Sequence, residues 1–434
     1  MPSKGRNHRQ SLPSNVLSDL PDNVIDVILM SLPCKDAIRT SILSKKWRYN
    51  WCRRTEFTVD VSHWKTQKDL LYPTVKFIKI IYPLLTLHEG PITKFTLDMD
   101  ILKSCPEIDN FIYFVSRNGI QHLFLRFPRY NGLYKLSSSL FTCSQLRHLT
   151  LHNCSIHPPS AFKGFDWLIS LKLCRVTISP EWLGSLISHC PLLERLELKE
   201  LMSEVINTID INAPMLRYFD FNGSIKSVCL KNVPLLTELA LMGARSPMEA
   251  KNFDLAKLFK SCSALEHLAL HIHHSEFQEE EPSLVPTRLP FDLNHVKCFY
   301  LLDPMLEESY KLSCALCLIR SFPYLEYLEI RAVNDYDGGA DLECLKMERF
   351  SDVTFNHLRE VKLESGTISM PVMQLIKLLL AKSPVLLRIL IRLEYPSAAN
   401  ERHDLRLKIL AKVSNFLHAS PKADVDVQYQ IRFA

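Results

Sequence analysis

A chain of 434 residues with 47% hydrophobic and 23% charged side chains has room for several domains or for one extended array. Its 11 glycines are too few for flexible linkers or Gly-rich phosphate loops. The formal net charge is +5, and residues 1–60 alone hold ten Lys/Arg against six Asp/Glu, so the rest is almost neutral. A nucleic-acid binder would more often spread basic residues along one face.

In chain order, residues 1–15, MPSKGRNHRQSLPSN, are polar and basic with no apolar core behind them. They predict a disordered tail and no secretory leader. No window offers the roughly 18 apolar residues of a membrane span; FIKIIYPLLTL is interrupted by Lys79 and Pro83. The 13 cysteines are therefore expected as thiols in a reducing compartment, the cytoplasm and/or the nucleus. The sequons at Asn153 and Asn222 then carry no glycan.

Residues 19–51, DLPDNVIDVILMSLPCKDAIRTSILSKKWRYNW, predict short helices divided by Pro33. Pro21 and Asp22 suit a helix start. Val24, Ile25, Ile28, Leu29 and Leu32 follow helical spacing, and Ala37, Ile38, Ile42, Leu43, Trp47 and Trp51 continue the apolar set. About forty residues rarely supply a self-sufficient core, so this surplus packs on something else: a partner, or the end of the array that follows.

That array is legible as a repeat. L-x-x-L-x-L begins at Leu146, Leu168, Leu193, Leu216, Leu236, Leu265, Leu325 and Leu358, with weaker copies at Ile92, Ile120, Val296 and Leu386. The steps between starts run from 20 to 33 residues, the range of leucine-rich repeats or slightly beyond it. Proline stands two residues before the first leucine at Pro191, Pro214, Pro234, Pro323 and Pro384; cysteine stands three before it at Cys143, Cys190 and Cys262. Each repeat predicts a short strand with its leucines inward, and segments such as EWLGSLISHC and FDLAKLFKSC predict helices between strands. One repeat cannot bury its apolar face alone, so neighbours stack into a curved solenoid with a parallel sheet on the concave face. Residues 274–295 and 333–348 are rich in acids, Pro or Gly and predict loops inserted between repeats.

The chain carries no G-x-S-x-G, H-E-x-x-H, P-loop or G-x-G-x-x-G, so no catalytic constellation is predicted. Cys314 and Cys317 form a lone CxxC inside a helical pattern and read as core thiols. His271, His273 and His274 read as solvated. Asp335 and Asp337 open a calcium-like loop that fails at Ala340 and Lys346. No metal and no cofactor is expected. The outward strand residues are the better candidates for binding: His148, Thr150 and His152; Arg195, Glu197 and Lys199; Tyr218 and Asp220; Tyr327, Glu329 and Arg331. Mixed charges with tyrosine and arginine favour protein interfaces.

Leu20-Pro21-Asp22, Leu32-Pro33 and Ser41-Ile42-Leu43-Ser44-Lys45-Lys46-Trp47-Arg48 together resemble the F-box. The stretch from FNHLREVKLESG to HASPKADVDV resembles the FBD region that follows leucine-rich repeats in many plant F-box proteins. The whole chain thus resembles the plant F-box/LRR/FBD family. The resemblance implies an α/β protein with a three-helix F-box over 16–58, a leucine-rich-repeat solenoid over 59–351 and an FBD region continuing the array over 352–430. It implies a non-catalytic substrate-recognition subunit of a Skp–cullin–F-box ubiquitin ligase. The F-box binds a Skp-family adaptor and through it a cullin, and the repeats bind a target protein for ubiquitination; neither membrane nor nucleic acid is implied as a partner. A small-molecule-sensing receptor on the same ligase and a non-ligase scaffold are the alternatives. Carried over by position, Leu20, Pro21, Ile25, Leu32, Pro33, Leu43 and Trp47 are candidates for adaptor contact or for the small core behind it. The run Cys52-Arg53-Arg54 departs from relatives, which keep more apolar residues there.

Overall fold

The template segments become strands, and the reason is the alternation of inward leucines with outward polar residues. The computed structural model describes residues 19–60, 86–100, 108–129, 132–202, 209–223, 228–243, 261–271, 293–302, 309–332, 353–366, 368–394 and 399–430, with a few single positions besides. The chain forms two compact units, Met1–Leu168 with Arg175–Thr177, and Ile169–Cys174 with Ile178–Ala434.

The first unit begins with α1 (Asp22–Ser31) and α2 (Cys34–Arg39), followed by 3-10 turns over Thr40–Ile42 and Asn50–Arg53. Leu32 is extended, and Pro33 then caps the next helix, so the break falls where the proline demands it. The expected third helix is present as turns. So short a run does not sustain an α-helix unaided. Instead the Trp47 indole donates to the Leu17 carbonyl at 2.7 Å and the Trp51 indole to the Arg48 carbonyl at 3.1 Å, pinning the turns. Arg54 resolves the departure noted above: it is buried, and its guanidinium donates to the carbonyls of Leu29 and, at 2.9 Å, Leu32. A cation thus serves the carbonyls at the negative end of α1, of which that of Leu29 also accepts the Leu32 N–H at 3.3 Å.

Four strands of this unit pair in parallel: β1 (Glu56–Asp60), β2 (Lys94–Asp98), β3 (His122–Arg126) and, after a short β4 (Tyr134–Lys135), β5 (His148–Ser155). Helix α3 (Ile108–Ser116) lies between β2 and β3 in the chain. Phe57, Phe95, Leu123 and Leu149 stand in one register column, all buried. Strand β1 was not legible as a repeat, because TEFTVD lacks the leucine template.

In the second unit the main sheet starts with the first residues of β6 (Ser170–Thr177). Helix α4 (Pro180–Ser188), β7 (Arg195–Lys199), β8 (Ile209–Asn212), β9 (Tyr218–Gly223), β10 (Val228–Asn232), β11 (Glu238–Gly243), β12 (His267–His271) and β13 (Cys298–Leu302) follow. The chain continues through α5 (Ser309–Arg320), β14 (Tyr327–Ala332), β15 (Glu360–Ser365), α6 (Met370–Lys382), β16 (Arg388–Glu394), α7 (Ala399–Ser414) and β17 (Asp424–Gln430). The order is β6-β7-β9-β11-β12-β13-β14-β15-β16-β17, and successive strands pair in parallel.

Strands β8 and β10 form a separate two-stranded sheet where helical connectors were expected. The steps from Leu193 to Leu216 and on to Leu236 are among the three shortest, and an extended segment crosses with fewer residues than a helix. Helix α4 matches EWLGSLISHC; its Ser179 side chain accepts the Trp182 N–H, and Pro180 fills the first turn. Gly184 lets α4 approach β8: a Cβ there would lie 3.3 Å from the Asp210 carbonyl oxygen. FDLAKLFKSC lies largely outside the described residues, as do 274–287 and 333–348.

One turn explains both regularities before the template. The N–H of the first leucine bonds to the carbonyl three residues back, as in Leu193 to Cys190, Leu216 to Ala213, Leu236 to Val233 and Leu265 to Cys262. Proline therefore occupies the second position of a β-turn, where its fixed φ is wanted. Seven residues after that leucine the backbone is left-handed, at Asn153 within β5, at Arg175 within β6 and at Glu200 just past β7. At the same offset, Gly223 has no room for a side chain, since a Cβ would meet the Phe221 ring at 2.8 Å.

Candidate functional site

Two surfaces carry the residues singled out in the sequence. The first is helical. Ile25 and Trp47 are fully buried and form the core of the small helical unit with Leu29, Ala37 and Trp51. Of the two roles open to them, adaptor contact or the core behind it, burial gives them the core. Leu20 and Leu32 are half-buried, and Pro21, Pro33 and Leu43 are exposed. Lys46 ties the start of α1 by donating to the Leu20 carbonyl and pairing with Asp22 at 3.1 Å. Sequence reasoning missed the most exposed apolar groups: Ile42 at 88% and Val27 at 69%, with Met30 and Val24 on the same helix as Val27. Their signal was in the spacing, since Val24, Val27 and Met30 repeat every third residue opposite the buried Ile25 and Leu29.

The second surface is the open face of the second unit's sheet. Arg195, Glu197 and Lys199 on β7 stand beside Tyr218 and Asp220 on β9, in register. Glu197 pairs with Lys172 at 2.7 Å and with Arg195 at 3.4 Å; Lys199 reaches Asp220 at 2.6 Å. The Arg195 guanidinium lies 3.7 Å above the Tyr218 ring centre. Tyr327, Glu329 and Arg331 on β14 form a second group. Glu329 accepts from the Tyr327 hydroxyl and from Arg331, both at 2.7 Å, and from Lys362 at 3.0 Å. Glu364 pairs with Lys362 at 2.7 Å, with Arg331 at 3.2 Å and with Arg392 at 3.2 Å. Lys172, Lys362, Glu364 and Arg392 were not singled out in the sequence, although they occupy outward positions of the same template.

Asp220 and Glu329 point outward but are buried beneath their own cations, so they hold neighbouring side chains in place and are not themselves presented to a partner. Burial acts to raise the Glu329 carboxyl, but the bonds from Tyr327, Arg331 and Lys362 outweigh it and hold it below the usual range. Glu197 is likewise lowered: burial opposes, and Lys172, Lys199 and Arg195 prevail. Burial lowers Lys199, but Asp220 and Glu197 outweigh it and raise it. Both groups are thus locked as ion pairs at neutral pH.

His148 and His152 belong to the first unit. His148 stacks on His122 of the neighbouring strand, ring centres 4.4 Å apart and planes 8° off parallel, and His152 meets Phe124 at 5.4 Å. Thr150 lies between them on β5. Burial lowers both stacked histidines, helped by Lys94 at His122 and by His122 and Arg147 at His148.

Burial pushes the thiols of Cys143, Cys154 and Cys262 up to about 12 and that of Cys317 to about 11. Such thiols are not nucleophiles at neutral pH. Among the described residues no three ligating side chains gather as a metal site, and no helix is long and apolar enough to cross a membrane. His273, His274, Asp335 and Asp337 lie outside the described residues.

Residues 17–56 match the F-box domain, and residues 108–330 match the family described as FBD-associated F-box protein At5g56370, LRR repeats. The chain is 31% identical over 420 residues to the F-box/FBD/LRR-repeat protein At1g13570 of Arabidopsis thaliana, covering 94% of this chain and 97% of that protein. It is 26% identical over 343 residues to the Arabidopsis F-box/FBD/LRR-repeat protein At2g04230, covering 70% and 74%. The chain belongs to the plant F-box/FBD/LRR-repeat family. F-box domains in general bind Skp1-like adaptors, and F-box/LRR proteins are in general non-catalytic substrate adaptors of SCF-type ubiquitin ligases.

Proposed function

We propose that this chain is the substrate-recognition subunit of a Skp–cullin–F-box ligase, working in the cytoplasm and/or the nucleus. The F-box docks the adaptor through Leu20, Pro21, Leu32, Pro33 and Leu43, joined by Val27 and Ile42. The open sheet face of the repeats receives a target protein for ubiquitination. The observation that carries this reading is a helical unit whose own core is filled by Ile25 and Trp47 while Val27, Ile42 and Leu43 stay outside. Exposed apolar groups gathered on so small a unit mark an interaction surface. Ten described cysteines are free thiols, in keeping with a reducing compartment.

Co-expression with a Skp-family adaptor tests the reading. The wild-type chain is expected to co-purify with it. The double substitution Val27→Asp with Leu43→Asp is expected to weaken binding at least about tenfold while thermal unfolding stays unchanged. Undiminished binding by that variant would remove the assigned interface.

A further inference from the structure

In two ion-pair groups on the second unit's open face the acids lie low and the bases lie high, except Lys362, whose side chain is only 16% exposed. The side chains of Glu197, Asp220, Glu329 and Glu364 are between 5% and 14% exposed. Those of Lys172, Arg195, Lys199, Arg331 and Arg392 are between 31% and 51% exposed. A partner approaching the first group meets Lys172, Arg195 and Lys199, and one approaching the second meets Arg331 and Arg392, with the paired carboxylates behind them.

The cations fall into two groups. Lys172, Arg195 and Lys199 stand over Glu197 and Asp220; Arg331, Lys362 and Arg392 stand over Glu329 and Glu364. Three cations over two acids leave each group with one positive charge in excess. A guanidinium has five N–H donors, more than its acidic neighbours here accept; that of Arg195 stacks on Tyr218 and gives its Nε–H to Glu197 at 3.4 Å. The outward positions of β11, β12 and β13 between the groups carry no Lys or Arg; their middle row is Ala240, Ala269 and Tyr300. Glu238 is exposed in the row beside them and disfavours an acid over the gap. On the same strands as the second group, Glu360 and Arg388 are register partners of opposite sign, and Arg388 also pairs with Asp426 of β17 at 3.4 Å.

From β7 to β14 the sheet makes five strand-to-strand steps, β7-β9-β11-β12-β13-β14. At about 4.8 Å per step this is about 24 Å, the reach of about seven extended residues at about 3.3 Å each. We propose that the target segment received by this face is extended, crosses the strands, and carries two Asp/Glu groups about seven residues apart, one for each cation group. This rests on the reading that the sheet face is the target site, and it adds the chemistry and spacing of what is recognised.

The test uses the purified full chain and fluorescein-labelled Ser/Thr peptides. Each holds two Glu pairs separated by about two, seven or twelve residues, with Gln and phosphoserine counterparts at the middle spacing. Fluorescence anisotropy is expected to give the middle spacing an affinity at least about tenfold above the Gln peptide and above the other two spacings, weakening as NaCl rises from about 50 to about 300 mM. Arg195→Ala and Arg331→Ala are each expected to weaken it several-fold without moving the unfolding midpoint, since Glu197 keeps Lys172 and Lys199, and Glu329 keeps Lys362 and Tyr327. Arg195→Glu with Arg331→Glu is expected to shift preference to Lys peptides. Equal binding of the Gln peptide, indifference to spacing, binding of phosphoserine peptides only, or no binding up to about millimolar peptide overturns the proposal. Adaptor co-purification is read on the same preparations. Its loss with peptide binding retained defeats the ligase reading alone; the converse defeats this one.

Discussion

The F-box helices and the second unit's sheet face both meet solvent, and they do so with opposite chemistry. The helices expose Val27, Ile42 and Leu43 and keep their polar groups in local bonds, such as Lys46 to Asp22. The sheet face buries its template leucines and exposes cations over buried acids. A surface of the first kind binds by removing apolar area from water and is nearly indifferent to salt. One of the second kind selects by charge and weakens as salt rises. The difference teaches that one chain can carry one surface suited to a constant partner and another suited to a selected one, because helix and strand expose different fractions of their side chains.

The largest effect that separates the two regions is loss of the helical core. Trp47→Ala is expected to destabilise the F-box by about 3–5 kcal/mol, removing both its packing and its bond to the Leu17 carbonyl. Helical circular dichroism and adaptor binding should fall together. Peptide binding at the sheet face should persist; its loss would mean that the regions are not independent.

Next comes a contrast inside the charged face. Outward residues in general tolerate truncation, but Lys199 supports the buried Asp220, whose Oδ1 has no hydrogen-bond partner among the described residues. Lys199→Ala is expected to cost about 2–3 kcal/mol by leaving that carboxylate uncompensated. Arg195→Ala, at an exposed position, is expected to cost no more than about 1 kcal/mol. Urea unfolding of the two variants decides it. Equal losses would mean that Asp220 does not depend on Lys199.

The smallest effect is on pH. His122 and His148 titrate below the ordinary histidine value in the folded chain. The unfolded state then binds more protons, so their contribution is complete above about pH 6.5 and declines as pH falls through the lowered folded values. Proton NMR of the imidazoles should show both midpoints below that of a surface histidine. His148→Gln should flatten the fall in stability between about pH 6.5 and 5. An unchanged slope would remove the stacked pair as its source.

Much of the fold was legible because its cause is local. The leucine template determined the inward columns, the proline and cysteine offsets marked one recurring turn, and Pro33 divided the first helices. The F-box residues could be read in order, and the template numbered the outward positions that became the charged face. What escaped was set by neighbours. β1 has no template, yet Phe57 joins the column of Phe95. The steps on either side of Leu216 took a strand where a helix was expected. Ile25 and Val27 are two residues apart in one apolar run, and only packing decided which is core and which is surface. Asp220 and Glu197 are both outward acids in sequence. Only the adjacency of strands brought Lys172 and Lys199 over them, because register pairs residues some twenty to thirty positions apart, and pairing across that separation leaves no trace in the local pattern.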